Sequence, residues 1–122
     1  MPAPTFTDTA ARTWRVAFTP AAVRTIRTVL GIDLARLVKD PAKLGAALFG
    51  PAAPPELVVQ LAAVVCHDQR EERLVSPEEF GRALTDPTTY EAAAIALYAA
   101  LAAYYPHSAW GRAVRRQMAA AN

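Results

Sequence analysis

The stretch Ser76–Pro106, SPEEFGRALTDPTTYEAAAIALYAALAAYYP, decides the fold class. Ser76, then Pro77, then Glu79 supply the parts of a capping box: a hydroxyl that accepts an orphan N–H, a proline harmless in the first turn, and a glutamate that can reach back. Asp86-Pro87 repeats the start. Tyr90, Ala94, Leu97, Leu101 and Tyr104 then recur at intervals of four, three, four and three, which is one face of an α-helix running to the stop at Pro106. Two capped helices in tandem, the second long and central, predict an all-α chain.

Working outward, Leu57, Leu61, Val64, Val65 and Asp68 fall on neighbouring turns of a helix from Pro55 to about Glu72. Thr19-Pro20 opens another, with Val23, Ile26 and Leu30 at helical spacing until Gly31, and Asp33 caps a short one through Leu37 and Val38. Asp40-Pro41 closes that helix, Lys43 to Phe49 forms a further apolar segment, and Gly50 with the prolines at 51, 54 and 55 interrupts it. Beyond Pro106, a helix from Ser108 places Trp110, Val114 and Met118 on one face and Arg112, Arg115 and Arg116 on the other.

Trp14, Val16 and Phe18 alternate with Arg15 and Ala17, the period of a strand with one covered face. No other segment offers it an equal partner, so its open edge is expected to lie on the helices or to pair with a second chain and give homo-oligomers. The sequence therefore predicts one compact helical bundle over residues 1–122, with five to seven helices, at most one short N-terminal strand, and a flexible segment 1–12. Leu61, Val64, Phe80, Leu84, Leu97 and Leu101 are the predicted common core.

A chain of 122 residues can bury such a core without disulfides. Its 53% hydrophobic fraction includes 28 alanines, which favour helix but bring little apolar area, so the core rests on few large side chains. Cys66 is the single cysteine. That excludes an intramolecular disulfide and fits a cytoplasmic protein. Met1–Thr13 lacks the basic start and apolar run of a signal peptide, and Ile95–Tyr105 is too short to span a bilayer. The net charge of +2 falls short of the concentrated basic surface that duplex binding needs.

Chemistry finds little support. His67 and His107 are the only histidines and with one cysteine do not make up a zinc site, so no metal or cofactor is expected. Cys66 and His67 are adjacent, which on a helix separates them by about 100° and argues for a buried, inert thiol rather than a nucleophile and its base. Glu78 and Glu79 open a helix where carboxylates complement its dipole. No nucleophile elbow or glycine-rich phosphate loop occurs. Tyr98, Tyr104, Tyr105 and Trp110 cluster around Pro106 and suit either a core corner or a recognition patch. The candidate partner-binding residues are thus Trp14, Val16 and Phe18 on the strand, with Tyr104, Tyr105, Trp110, Arg112 and Arg116 near the end.

Gly31-Ile32-Asp33-Leu34, then Cys66 with Gln69, then Ser76 to Leu84, then an Ala-rich helix ending Tyr104-Tyr105-Pro106, in that order, resemble the tail assembly chaperones of long-tailed phages, prophages and gene transfer particles. The likeness covers about residues 12 to 106. It implies a non-enzymatic cytoplasmic factor, absent from the mature particle, that keeps the tape measure protein soluble and helps recruit tail tube protein. Such families often have a short and a frameshifted longer form, and without an acidic or extended C-terminal addition this chain would correspond to the short one. Where the family has Phe-Phe-Pro this chain has Tyr-Tyr-Pro, and two hydroxyls argue against an entirely buried pair. The alternatives are another phage or prophage structural or adaptor role and, after these, a small nucleic-acid-binding module.

Overall fold

The structure, a computed structural model, describes residues 3–49, 53–54 and 56–121, with the side chains of Phe49 and of residues 118–121, Met118 included, outside the description. It opens with an antiparallel hairpin, β1 (Thr5–Thr7) and β2 (Thr13–Arg15), in which Phe6 faces Trp14. Eight α-helices follow among the described residues: α1 (Pro20–Thr25), α2 (Leu34–Leu37), α3 (Pro41–Phe49), α4 (Glu56–Val65), α5 (His67–Glu72), α6 (Pro77–Arg82), α7 (Pro87–Tyr104) and α8 (Ala109–Ala121). The chain is a mostly helical single domain, as the capped stretch at Ser76–Pro106 predicts.

Two details of the expectation are corrected, in the strands and in the helix before Ser76. The hairpin has two strands rather than one, because Thr5–Thr7 supplies the partner that Trp14 lacked. Of the segment 1–12, Thr5–Thr7 forms β1, and Phe6 and Asp8 are 3% and 5% exposed, while residues 1–2 lie outside the description. The expected helix up to Glu72 is two helices that meet at Cys66, where φ −93° and ψ 13° leave the helical region. At that bend the Ala63 carbonyl accepts the Arg70 Nε–H at 3.2 Å, so a side chain satisfies a group that an unbroken helix would pair internally.

The local signals otherwise work as their chemistry demands. Thr19, Asp33, Ser76 and Asp86 each accept a backbone N–H of the first turn that follows them. Glu79 departs from the capping box, since its carboxylate meets Arg12 Nη1 at 3.3 Å and so ties α6 to the hairpin loop. α1 runs into a π-helical turn, Ile26–Leu30. Gly31 closes it at φ +70°, and the Gly31 N–H bonds to the Ile26 carbonyl.

α7 packs against β1, α4 and α8. Ala93, Ala96, Ala100 and Ala102 are buried on it beside Leu97 and Leu101, so the small residues let neighbours approach closely and the leucines fill the space between. Of the predicted core, Leu61, Phe80, Leu84, Leu97 and Leu101 are buried, while Val64 is half-buried against them.

Candidate functional site

The strand residues go inward. Trp14 and Val16 have no exposed area and Phe18 only 9%. Trp14 meets Phe80 edge-on at 5.1 Å, Arg73 lies over its ring at 4.7 Å, and its indole N–H donates to Asp8 Oδ2 at 2.9 Å. These aromatic and cation–π contacts make Trp14 a keystone of the core, not a free surface.

The outer edge of β2 is occupied as well. The Gln69 side-chain amide accepts the Arg15 N–H at 3.0 Å and donates to the Arg15 carbonyl at 2.7 Å, and Arg73 Nη1 donates to the Thr13 carbonyl at 2.8 Å. Cys66 Sγ lies 3.7 Å from the same Arg15 carbonyl. Gln69 therefore takes the place of a third strand, which gives Cys66 and Gln69, paired in the sequence resemblance, a shared structural role on one backbone group.

What remains at the surface is built around Tyr104 and Tyr105 at the end of α7. Their rings stand edge to face with centroids 4.9 Å apart. Tyr104 lines an apolar concavity of about 300 Å³ together with Pro4, Val16, Phe18, Ala100 and Ala103. Tyr105 lines a second one, of about 370 Å³, with Val38, Lys39, His107, Ser108 and Arg112. The first is lined by apolar side chains and Tyr104, and the second carries two cations, Lys39 and Arg112, beside Tyr105. Burial, reinforced by Tyr104 and by Asp33, raises the Tyr105 phenol above its ordinary 10.0, so it stays a neutral hydrogen-bond donor at neutral pH.

Thus Val16, Phe18 and Tyr104 come together on the first hollow, and Tyr105 and Arg112 on the second. Trp110 lines neither of these two: it is half-buried, its ring 5.6 Å from Tyr98 and its backbone N–H on the Val38 carbonyl at 3.0 Å. Arg112 and Arg115 turn back to donate to the His107 and Pro106 carbonyls at 2.7 and 2.6 Å, whereas Arg116 is exposed on α8. Gly111 is the residue that sequence reading passed over. A Cβ there would collide with the Tyr105 carbonyl oxygen and crowd the Pro106 backbone, so only glycine lets α8 come this close to the tyrosine pair.

Comparison with known proteins gives no match. No family model, no curated protein and no solved structure matches the chain. The reading of this region therefore rests on its chemistry.

Burial, against the opposing charges of Arg70 and Arg73, pushes the Cys66 thiol up to about 12, so almost no thiolate exists at neutral pH. His67 is exposed, 3.6 Å from Glu71 as a turn-spaced pair. Among the described residues, no three His, Cys, Asp or Glu side chains stand together as a metal cluster, and no helix is long and apolar enough to cross a membrane.

Proposed function

We propose that the protein is a non-enzymatic binding factor of the phage tail assembly chaperone kind, which holds an amphipathic helical segment of a long partner and keeps it soluble. The observation that carries this reading is the Tyr104–Tyr105 pair at the end of α7, with Tyr104 on a hollow lined by apolar side chains and Tyr105 on one bearing Lys39 and Arg112. An amphipathic helix presents an apolar stripe flanked by polar groups, and an apolar hollow suits the stripe while Lys39 and Arg112 suit acidic groups at its flank. Tyrosines give large contact area with little rotamer entropy to lose, and their hydroxyls tolerate a wet interface. The ordered resemblance from Gly31 to Pro106 names the partners: a tape measure protein held soluble, with tail tube protein recruited around it. An adaptor within a phage or prophage particle would use the same surface.

Co-expression with a long helical tape measure protein tests this. The partner should stay soluble and co-purify with the chain. Ala103→Glu places a charge in the apolar hollow from an exposed position of α7, and should abolish co-purification while the unfolding midpoint stays put. A partner equally soluble alone, or never captured, sinks the chaperone reading.

A further inference from the structure

Leu74 follows α5 with φ +58°, a left-handed backbone that suits glycine and strains leucine. The Val75 N–H closes this turn on the Arg70 carbonyl at 2.9 Å, so the conformation is imposed by the helix end. The Leu74 side chain is nevertheless 90% exposed. Exposed Glu71 and Glu72 precede it and exposed Glu78 follows. The helix end thus holds an apolar side chain out in water, with Arg73 directly before it and Glu71, Glu72 and Glu78 near it in sequence.

Elsewhere, α2, α3 and α4 enclose a groove of about 410 Å³ lined by Ile32, Leu37, Leu48 and Leu57, with Arg36 and Lys43 beside them. Among the described residues neither cation has a carboxylate within ion-pair distance. Asp33, also on the groove, accepts the Arg36 backbone N–H as a helix cap. The charge pattern runs the same way along the chain: residues 68–91 hold seven carboxylates against three arginines, and residues 1–60 seven cations against four carboxylates.

We infer that Leu74 of one copy seats in the α2–α3–α4 groove of a second copy, with Glu71 and Glu72 meeting Arg36 and Lys43. The two patches are different surfaces, so each copy offers one of each and the contact is head-to-tail. One leucine and its charged flanks cover far less than the roughly 800 Å² per partner of a standard interface. The association is therefore weak, concentration-dependent and sensitive to salt. It uses neither of the tyrosine hollows, and stands or falls apart from the chaperone reading.

Sedimentation of the purified full chain over a range of concentrations reads this out. The weight-average mass should rise above 13.1 kDa with concentration at about 0.1 M salt and fall back near 1 M, where the screening length shrinks from about 10 Å to about 3 Å. Leu74→Gly should remain monomeric while its unfolding midpoint rises, which separates loss of contact from loss of fold. Arg36→Glu with Lys43→Glu should also be monomeric. Mixed with Leu74→Gly, which keeps an intact groove, this double variant should form one heterodimer and no larger species. Glu71→Lys with Glu72→Lys added to the groove variant in the same chain should restore the rise in mass. A wild-type chain that stays at 13.1 kDa throughout, or a Leu74→Gly variant that associates like wild type, overturns the inference.

Discussion

Trp14 donates its indole N–H to Asp8 across 2.9 Å, and both side chains are fully buried. Asp8 also accepts the Ala10 and Arg12 backbone N–H groups and the Arg12 Nε–H at 2.8 Å, so one carboxylate closes the hairpin loop and seats the largest core side chain. Burial opposes ionisation of Asp8, but the hydrogen bonds from Trp14 and Arg12 and the Arg12 charge overcome it, and its pKa lies below the ordinary 3.8. The folded chain thus binds this proton less readily than the unfolded one. The stabilisation is full above about pH 4 and is lost as pH falls through the folded value. Asp8→Ala, which leaves the indole N–H unpaired and Arg12 with Glu79 alone, should cost about 3 kcal/mol in urea unfolding at neutral pH. Asp8→Asn should flatten the acid limb of the stability profile, and an unchanged limb would show that another carboxylate sets it.

Leu74→Gly should stabilise the monomer by about 1 kcal/mol, because glycine adopts φ +58° without the strain of a Cβ. Thermal melts at low protein concentration, where association does not contribute, measure it. A fall in midpoint would mean that the leucine side chain is held by its own chain after all.

Gly111→Ala should destabilise by about 1 to 3 kcal/mol, since the atoms it meets are backbone and cannot turn aside. Gly45→Ala, on α3 with open space around the new methyl, should stabilise by about 0.5 to 1 kcal/mol. Equal effects of the two substitutions would deny that α8 depends on close approach.

Cys66 should resist alkylation in the native state and react only on unfolding, because its thiol is buried and sits near pKa 12. Mass spectrometry after iodoacetamide treatment, with and without denaturant, decides it; rapid native labelling would contradict the packing of Cys66 against Arg15.

The helices were legible because their signals are local: a cap such as Ser76 or Asp86 acts on N–H groups two or three residues away, and a stripe such as Tyr90 to Tyr104 needs only its own period. The first strand was not, because Thr5–Thr7, though made of strand-favouring residues, is too short to show alternation, and the Asp8 loop that pairs it with Thr13–Arg15 carries no common turn motif. Nor was the fate of Trp14. Periodicity gave its covered face but not that Phe80, Asp8 and Arg73 cover it. Tyr104, Tyr105 and Arg112 could be named from composition around Pro106, yet the hollows they line also draw on Pro4, Val38 and Lys39, and no sequence pattern joins three distant segments. The value of Gly111 depends on the backbone of another turn and has no signature of its own.

Gln69 bonding to both backbone groups of Arg15 makes the outer edge of the hairpin a dependency of α5. Amide hydrogen exchange at Arg15 then requires the Gln69 side chain to let go, so that proton should exchange faster in Gln69→Ala and should follow the opening of α5 as well as fraying of the strands. The hairpin Thr5–Arg15 and α5 are in this sense coupled, because melting of either one leaves Gln69 or the Arg15 backbone without its partner.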